Sequence, residues 1–349
     1  PWVSTSVVVT KVYSLWRSSS YPEFTLNIFQ IRGEPRMLNE SQEIAAAIDI
    51  GGTKIAVGLV SKDGRILVSE TAPTEPQAGF EAAIYRMAAM LQHCTQQLSI
   101  RPAGIGIGCT GPVDPFTGVL GEVNLLPGWQ GKPLTAALTA ATGLQAVVEN
   151  DADATALGEA AFGVGKGAGS FLLVAVGTGI GGGLIVDGHL YRGAGGAHPE
   201  IGHFILVPQG TPCTCGAHGC WEAYASGPAL ETWFNQNHPQ ESWWDGRRIF
   251  AAADAGNPQA REAIERTAHF LGLGISNLIT MFCPEVIGLA GGLMERWDDF
   301  AATVKAAIHE NCRMVPHTQV RLERARLGGQ AGLLGAARVW WSRCEADSH

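Results

Sequence analysis

Four residue clusters in this sequence have the types and spacing that chemistry requires. The tightest is His203, Cys213, Cys215 and Cys220, spaced H-x9-C-x-C-x4-C, with Gly216 and Gly219 permitting the turn that brings three thiolates around one ion. One imidazole and three thiolates complete a closed tetrahedral zinc site of the structural kind, whereas a redox pair or ordinary buried cysteines is the plainer reading. A closed site organises a loop and does not attack substrate; His218, inside the knuckle, is then a spare.

Two glycine loops follow apolar runs about half a chain apart: Asp49-Ile-Gly51-Gly52-Thr53-Lys54 and Gly177-Thr178-Gly179. Consecutive backbone N–H groups without Cβ atoms cradle phosphate, Thr53 adds a hydroxyl, and Asp49 is suited to hold magnesium through its water shell. Either loop alone reads equally as a tight hairpin turn. The duplication points to a polyphosphate clamped between two halves.

Asn150-Asp151 stands where a strand opens onto a helix. A carboxylate there takes a proton from a hydroxyl attacking a γ-phosphate, or else Asp151 caps the helix. Glu200, in His198-Pro-Glu-Ile-Gly-His203, and Glu222, in Cys220-Trp-Glu222, bracket the cysteine knuckle. Two acids and an imidazole on a rigid loop suit the hydroxyls of a sugar; solvated surface charge is the other fate of Glu.

These clusters need elements to hold them. Ile44–Ile48 and Ile55–Val60 flank the first loop, and Phe171–Val176 and Gly181–Val186 flank the second, so both read as strand-loop-strand hairpins and as an internal duplication. Helical spacing predicts helices over 79–98, 152–162, 228–234, 258–281, 300–311 and 329–341, with strands at 103–108, 146–149, 286–289 and 320–322. The pattern is α/β in two lobes with a cleft: 38–160, joined by a C-terminal helix at 329–344, and 161–328, with the knuckle loop at 200–222. Residues 1–37, ahead of and including Met37, read as a leader or non-native extension outside the fold.

Composition narrows the classes. With 349 residues, 46% hydrophobic, 16% charged and 45 glycines, the chain is globular and long enough for two lobes, which excludes disorder and collagen. A net charge of −8, without a dense basic block, speaks against nucleic acid. Gly167–Val186 is uncharged over 20 residues but holds seven glycines, which fits two buried strands better than a membrane span. The eight cysteines form no disulfide framework, and a cytoplasmic protein is expected.

Asp49-Ile-Gly-Gly-Thr-Lys54, Asn150-Asp-Ala152, Val176-Gly-Thr-Gly-Ile-Gly181, Glu200-Ile-Gly-His203 and Cys213-x-Cys-Gly-x-x-Gly-Cys-x-Glu222, in this order, resemble the ROK family of repressors and sugar kinases over Ile44 to Val339. The resemblance implies the two-lobed actin-like, hexokinase-like (ribonuclease H-like) ATPase fold and phosphorylation of a hexose 6-hydroxyl by MgATP. It makes Asp151 the general base. Asn124, Asn150, Asp151, Glu200, His203 and Glu222 would hold the sugar, with His203 also on zinc. Asp49, Gly51, Gly52, Thr53, Lys54, Gly177, Thr178 and Gly179 would bind the nucleotide phosphates, and Gly291-Gly292 would lie under the adenosine. It implies a homodimer or homotetramer.

Repressors of the family carry a DNA-binding domain ahead of this core, and residues 38–48 are too few for one, so a kinase is expected. The first loop and the knuckle resemble the glucokinase and N-acetylmannosamine kinase branches, which makes glucose the first expectation. His198-Pro199 and the extra residue in Asn124-Leu-Leu-Pro-Gly-Trp129 depart from the glucokinase pattern. N-acetylmannosamine, N-acetylglucosamine, fructose and mannose therefore stay open. From another class, a sugar-sensing regulator without turnover stays open too.

Overall fold

The computed structural model describes residues 44–239 and 241–346. The extension read into residues 1–37 lies outside the described residues.

β1 (Ile44–Ile50), β2 (Lys54–Ser61) and β3 (Ile66–Pro73) form an antiparallel meander, and β4 (Ile105–Cys109) and β5 (Ala146–Asn150) add to the β1 edge in parallel. The order is β3-β2-β1-β4-β5. β6 (Ser170–Val176), β7 (Ile180–Val186) and β8 (His189–Leu190) form a second meander, and β9 (Val286–Ala290) and β10 (Arg321–Arg324) add to β6 in parallel. Its order, β8-β7-β6-β9-β10, repeats the first sheet strand for strand in position and direction. The duplication legible in two glycine loops is thus a duplication of topology.

Alternation of buried side chains along the central strands says where the layers lie. Ile48 and Ile50 of β1 face a core shared with α1 (Phe80–Leu98) and α2 (Leu134–Thr142), while Ala45 and Ala47 face the opposite side. α3 (Asp151–Phe162) follows β5. On the second sheet, Leu172 and Val174 face a core built with α4 (Glu222–Ala225), α5 (Gly227–Asn237), α6 (Gly246–Asp254), α7 (Pro258–Phe282) and α8 (Trp297–Asn311). Phe171 and Leu173 face the other way, into a third core shared with Ala45, Ala47, α3 and α9 (Ala331–Ala346). α3 and α9 therefore form a helical layer with a sheet on each side, and both faces of each sheet are covered.

Small residues set the spacing of that layer. A Cβ on Gly106 of β4 would lie 1.8 Å from the Ala336 carbonyl oxygen of α9, and one on Gly158 of α3 would lie 2.9 Å from the Gly335 nitrogen. Ala152 and Ala156 of α3 meet the glycines of β7 in the same way, at 3.4 Å from a Cβ built on Gly181 and 2.7 Å from one on Gly183. A helix that leaves the first sheet at Asn150 can therefore lie directly on the second.

Several elements differ from the sequence reading. β4 runs to Cys109 because that residue pairs with both Ile50 and Asn150. α8 begins at Trp297, where Asp298 and Asp299 in the first turn favour a helix start. α2, α6 and β3 were not anticipated: α2 is short and lies among threonines and alanines, and β3 is a half-exposed flanking strand whose apolar start, Ile66-Leu67-Val68, gives way to Ser69-Glu70-Thr71. The uncharged run 167–186 forms β6 and β7, and among the described residues no helix is long and apolar enough to cross a membrane.

Candidate active site

The first glycine loop is the β1–β2 turn, closed by Gly51 N–H donating to the Lys54 carbonyl at 2.9 Å. Thr74, fully buried, supports it from below: its hydroxyl donates to the Gly51 carbonyl at 2.7 Å and its N–H to the Thr53 carbonyl at 3.0 Å. Thr53 and Lys54 are exposed at its tip. Leu125, next to the exposed Asn124, leans on the loop, since a Cβ on Gly52 would lie 2.9 Å from the Leu125 Cβ.

Asp49 lies one residue before the end of β1, and Asp151 is the first residue of α3. Gly108 lies beside both, 3.9 Å from Asp49 Oδ1 and from Asp151 Cα when a Cβ is built on it. Burial and then the negative charge of Asp151 raise the Asp49 pKa to about 6, with Lys54 opposing. Burial also raises Asp151, against the Ala152 N–H and Thr110 hydroxyl that donate to its carboxylate. The first turn of α9 adjoins this pair, because a Cβ on Gly332 would fall 2.2 Å from Asp49 Oδ2. A helix N-terminus, two carboxylates and the glycine turn thus meet at one end of the first sheet.

The capping residue of α3 is Asn150, not Asp151. Asn150 Oδ1 accepts from Ala152 N–H at 2.8 Å, and its Nδ2 donates to the Gly111 carbonyl at 3.1 Å. Each end of that amide keeps one further hydrogen-bonding position. Asp151 Oδ1 shares the Ala152 N–H at 2.9 Å, which leaves its second oxygen outside the cap.

On the second sheet, Gly177 N–H donates to the Gly179 carbonyl at 2.9 Å, and the Gly177 carbonyl accepts from Gly227 N–H at the start of α5 at 2.8 Å. Gly291 comes against the end of β6: its φ of +90° and a hypothetical Cβ only 2.3 Å from the Val176 carbonyl oxygen both demand glycine. Gly292 adjoins Gly177, with its nitrogen 4.0 Å from a Cβ built there. Gly177, Gly179, Gly291 and Gly292, far apart in sequence, are therefore neighbours.

His203 Nδ1 lies 3.6 Å from Cys213 Sγ and Cys215 Sγ lies 3.6 Å from Cys220 Sγ, and all four ligand atoms fall within 4.8 Å of one another. Tetrahedral zinc with Zn–S of about 2.3 Å and Zn–N of about 2.0 Å separates its ligands by roughly 3.5–3.8 Å, so the set fits that ion. The knuckle is a small antiparallel structure, with bridges Pro212–His218 and Ile205–Cys220, and it is tied down by the fully buried Trp221 stacked on Phe204.

The two flanking acids have different surroundings. Glu222 Oε2 accepts from the Ile180 N–H at 2.9 Å and would be struck by any Cβ on Gly179, so it sits directly against the second glycine loop. Glu200, more than half exposed, faces His198, whose Nε2 lies 3.3 Å from Glu200 Oε1. The turn Ile201–His203 rests on the start of β7, where a Cβ on Gly202 would meet the Ile180 carbonyl at 2.1 Å. His198, Asp153, Thr74 and Thr110 were missed as contributors. The Asp-x-Asp at 151–153 and the His-x-Glu at 198–200 were the available signals.

The sequence pattern of the ROK family matches residues 45–343. The chain is 34% identical to the glucokinase of Streptomyces coelicolor over 316 residues, covering 84% of this chain and 96% of that one. It is 32% identical to the N-acetyl-D-glucosamine kinase of Shigella boydii over 301 residues, covering 83% and 96%. Among solved structures, the ROK hexokinase of Thermus thermophilus superimposes with a TM-score of 0.77 at 34% identity, over 88% of this chain and all of that one. A ROK family glucokinase from Streptomyces griseus in complex with glucose and AMPPNP gives 0.71 at 32% identity, over 84% and 98%. Two sheets of identical order, the duplicated glycine loops and these likenesses lead to one assignment: this chain belongs to the ROK family and has the actin-like fold of its hexokinases.

Proposed function

We propose that this protein is an ATP-dependent hexose kinase that transfers the γ-phosphoryl group of MgATP to a sugar 6-hydroxyl, with glucose as the first substrate. The observation that carries the reading is Asp151: a buried carboxylate at the start of the helix that leaves one sheet and lies on the other, beside Asp49 at the end of the strand that leads into the first glycine loop. Similarity to a glucokinase bound to glucose and AMPPNP supports it.

In this reading MgATP lies along the two glycine loops. Backbone N–H groups of Gly51–Lys54 and Gly177–Gly179 bind phosphate oxygens, Asp49 orders the water shell of the magnesium ion, and Gly291 and Gly292 underlie the adenosine. The sugar is held by Asn124, Asn150, Glu200, His203 and Glu222. Asp151 accepts the 6-hydroxyl proton as that oxygen attacks the γ-phosphorus and ADP leaves. Burial raises its pKa above the usual carboxylate range, which strengthens it as a proton acceptor. Positioning and charge neutralisation carry most of the rate, and the base adds about 10²–10⁴-fold. Water is expelled as the site closes, which protects ATP from hydrolysis.

Zinc, held by His203, Cys213, Cys215 and Cys220, supplies structural cross-linking of the 200–222 loop when bound. The chain's own residues do the rest: Glu200 and Glu222, one on each side of the knuckle, accept hydrogen bonds from sugar hydroxyls. A homodimer or homotetramer in the cytoplasm completes the reading.

The likeness to an N-acetyl-D-glucosamine kinase favours a second sugar, N-acetylglucosamine. Initial rates with MgATP across glucose, mannose, fructose, N-acetylglucosamine and N-acetylmannosamine, with the phosphorylated carbon identified by NMR, decide between them. Highest kcat/KM for glucose and phosphate on carbon 6 is the outcome proposed; turnover confined to an N-acetylated sugar replaces glucose. Sugar binding without turnover makes the protein a sensor.

A further inference from the structure

His198 lies between two carboxylates that belong to different parts of the fold. Its Nε2 is 3.3 Å from Glu200 Oε1, and its Nδ1 faces Asp153 Oδ2 at 3.9 Å. Asp153 is on α3, two residues beyond Asp151, with only 1% of its side chain exposed. Its Oδ1 has no hydrogen-bond partner, and neither does His198 Nδ1. The oxygen turned toward His198 is Asp153 Oδ2, at ion-pair distance and beyond a hydrogen bond, while the unpartnered Oδ1 lies against β7, 3.0 Å from a Cβ built on Gly183.

Arg192, on the segment after β8, donates to the buried Glu149 of β5 and also acts electrostatically on Asp153. Asp151, Asp153, Glu149 and Glu200 all face His198 electrostatically, which favours its charged form. Its Nε2 is placed to donate to Glu200, and its ring lies in the field of the Asp153 carboxylate without a hydrogen bond to it.

The contrast in exposure shows what this arrangement accomplishes. Glu200 has 56% of its side chain exposed, and a free glutamate there samples many rotamers, so by itself it is a poor fixed acceptor. His198, at 17%, is anchored. We propose that His198 is a positioning residue that braces Glu200 against Asp153, and so sets the sugar-binding carboxylate in register with the helix that carries Asp151. This rests on the hexose-kinase reading and adds a specificity element to it: without the brace, sugar affinity falls while phosphoryl transfer from bound sugar and MgATP affinity are retained. Pro199, between His198 and Glu200, restricts the intervening backbone and keeps both side chains on one short strap.

The test compares wild type, His198→Ala and His198→Gln, each checked for zinc content and thermal unfolding. Kinetic constants are measured for the better of glucose and N-acetylglucosamine and for MgATP, and sugar binding is followed separately by tryptophan fluorescence. For His198→Ala the sugar KM and dissociation constant rise at least tenfold, while kcat and the MgATP KM stay within about threefold of wild type. His198→Gln, whose amide nitrogen still donates toward Glu200, recovers most of the sugar affinity. A His198→Ala sugar KM within twofold of wild type overturns the proposal, as does a parallel loss in kcat and MgATP KM, or a Gln variant no better than Ala. The two readings separate cleanly. Wild type that binds sugar without turnover, and loses that binding in His198→Ala, keeps the brace and removes the kinase. Wild type that turns over sugar unaffected by His198→Ala keeps the kinase and removes the brace. Wild type that neither binds nor turns over either sugar removes both.

Discussion

Glu222 Oε2 accepts a hydrogen bond from the Ile180 N–H at 2.9 Å, so the residue two positions after the last cysteine of the knuckle holds the end of the second glycine loop. The Cys/His cluster and the proposed phosphate site are therefore mechanically joined. Glu222→Ala leaves a buried N–H unpaired, which costs about 1–3 kcal/mol. Lower thermal stability and a raised MgATP KM follow, and Glu222→Gln, which keeps an acceptor oxygen, restores the stability. Melting curves and MgATP kinetics of the two variants check this; an Ala variant as stable as wild type would show that the contact contributes nothing.

Removing the metal acts on the same loop first. Chelation, verified by metal analysis, loosens 200–222 and weakens sugar binding while both sheets persist, because none of the four ligands belongs to the three apolar cores, to which this loop contributes only Ile201 and Trp221 as core members. Limited proteolysis with mass mapping should find the first cuts inside 200–222, alongside unchanged far-UV circular dichroism. Unaltered sugar affinity in zinc-free protein would contradict the expectation.

The Asp49 carboxyl gives a pH-dependent prediction with a definite sign. Its pKa is raised from 3.8 to about 6 by burial and by Asp151, so the folded state binds its proton more tightly than the unfolded chain does. Stability therefore falls as pH rises from about 4 to about 6 and keeps that penalty above. Asp49→Asn removes the buried charge, and the variant should be more stable than wild type at pH 7.5 by on the order of 2–3 kcal/mol, and no more stable at pH 4. Denaturant titrations at the two pH values measure it. Equal stability at pH 7.5 would mean that the charge of Asp49 is already compensated.

Packing between the loop and Glu222 makes Gly179 a sensitive position. A Cβ there would lie 2.4 Å from Glu222 Oε2, and Gly179→Ala must displace that carboxylate. The variant should fold, because the clash is with the end of a flexible side chain, yet its MgATP KM should rise severalfold. Steady-state kinetics beside a melting curve separate the two effects.

Much of the architecture was legible because it rests on short-range signals. Apolar runs broken by Gly51-Gly52 and Gly177-x-Gly179 marked both hairpins, and their repetition implied the matched sheets. The Cys/His cluster was legible because its ligands lie close together in sequence and converge to within 4.8 Å. What stayed hidden depends on contacts between distant segments. Nothing local shows that Gly332 abuts Asp49, that Thr74 supports Gly51, or that His198 meets Asp153. The choice between base and cap for Asp151 stayed open for a related reason. Asn and Asp cap equally well, and only the backbone path out of β5 gives the capping position to Asn150 and the first helical position to Asp151.

The central claim is that Asp151 is the base of a sugar kinase, and ADP release by wild type and Asp151→Asn, in zinc-loaded protein with saturating MgATP and glucose, tests it most directly. Wild type should release ADP only when sugar is present. Asp151→Asn should lose about 10²–10⁴-fold in kcat while binding sugar within a few-fold of wild type. An Asp151→Asn protein that turns over at the wild-type rate would contradict the account.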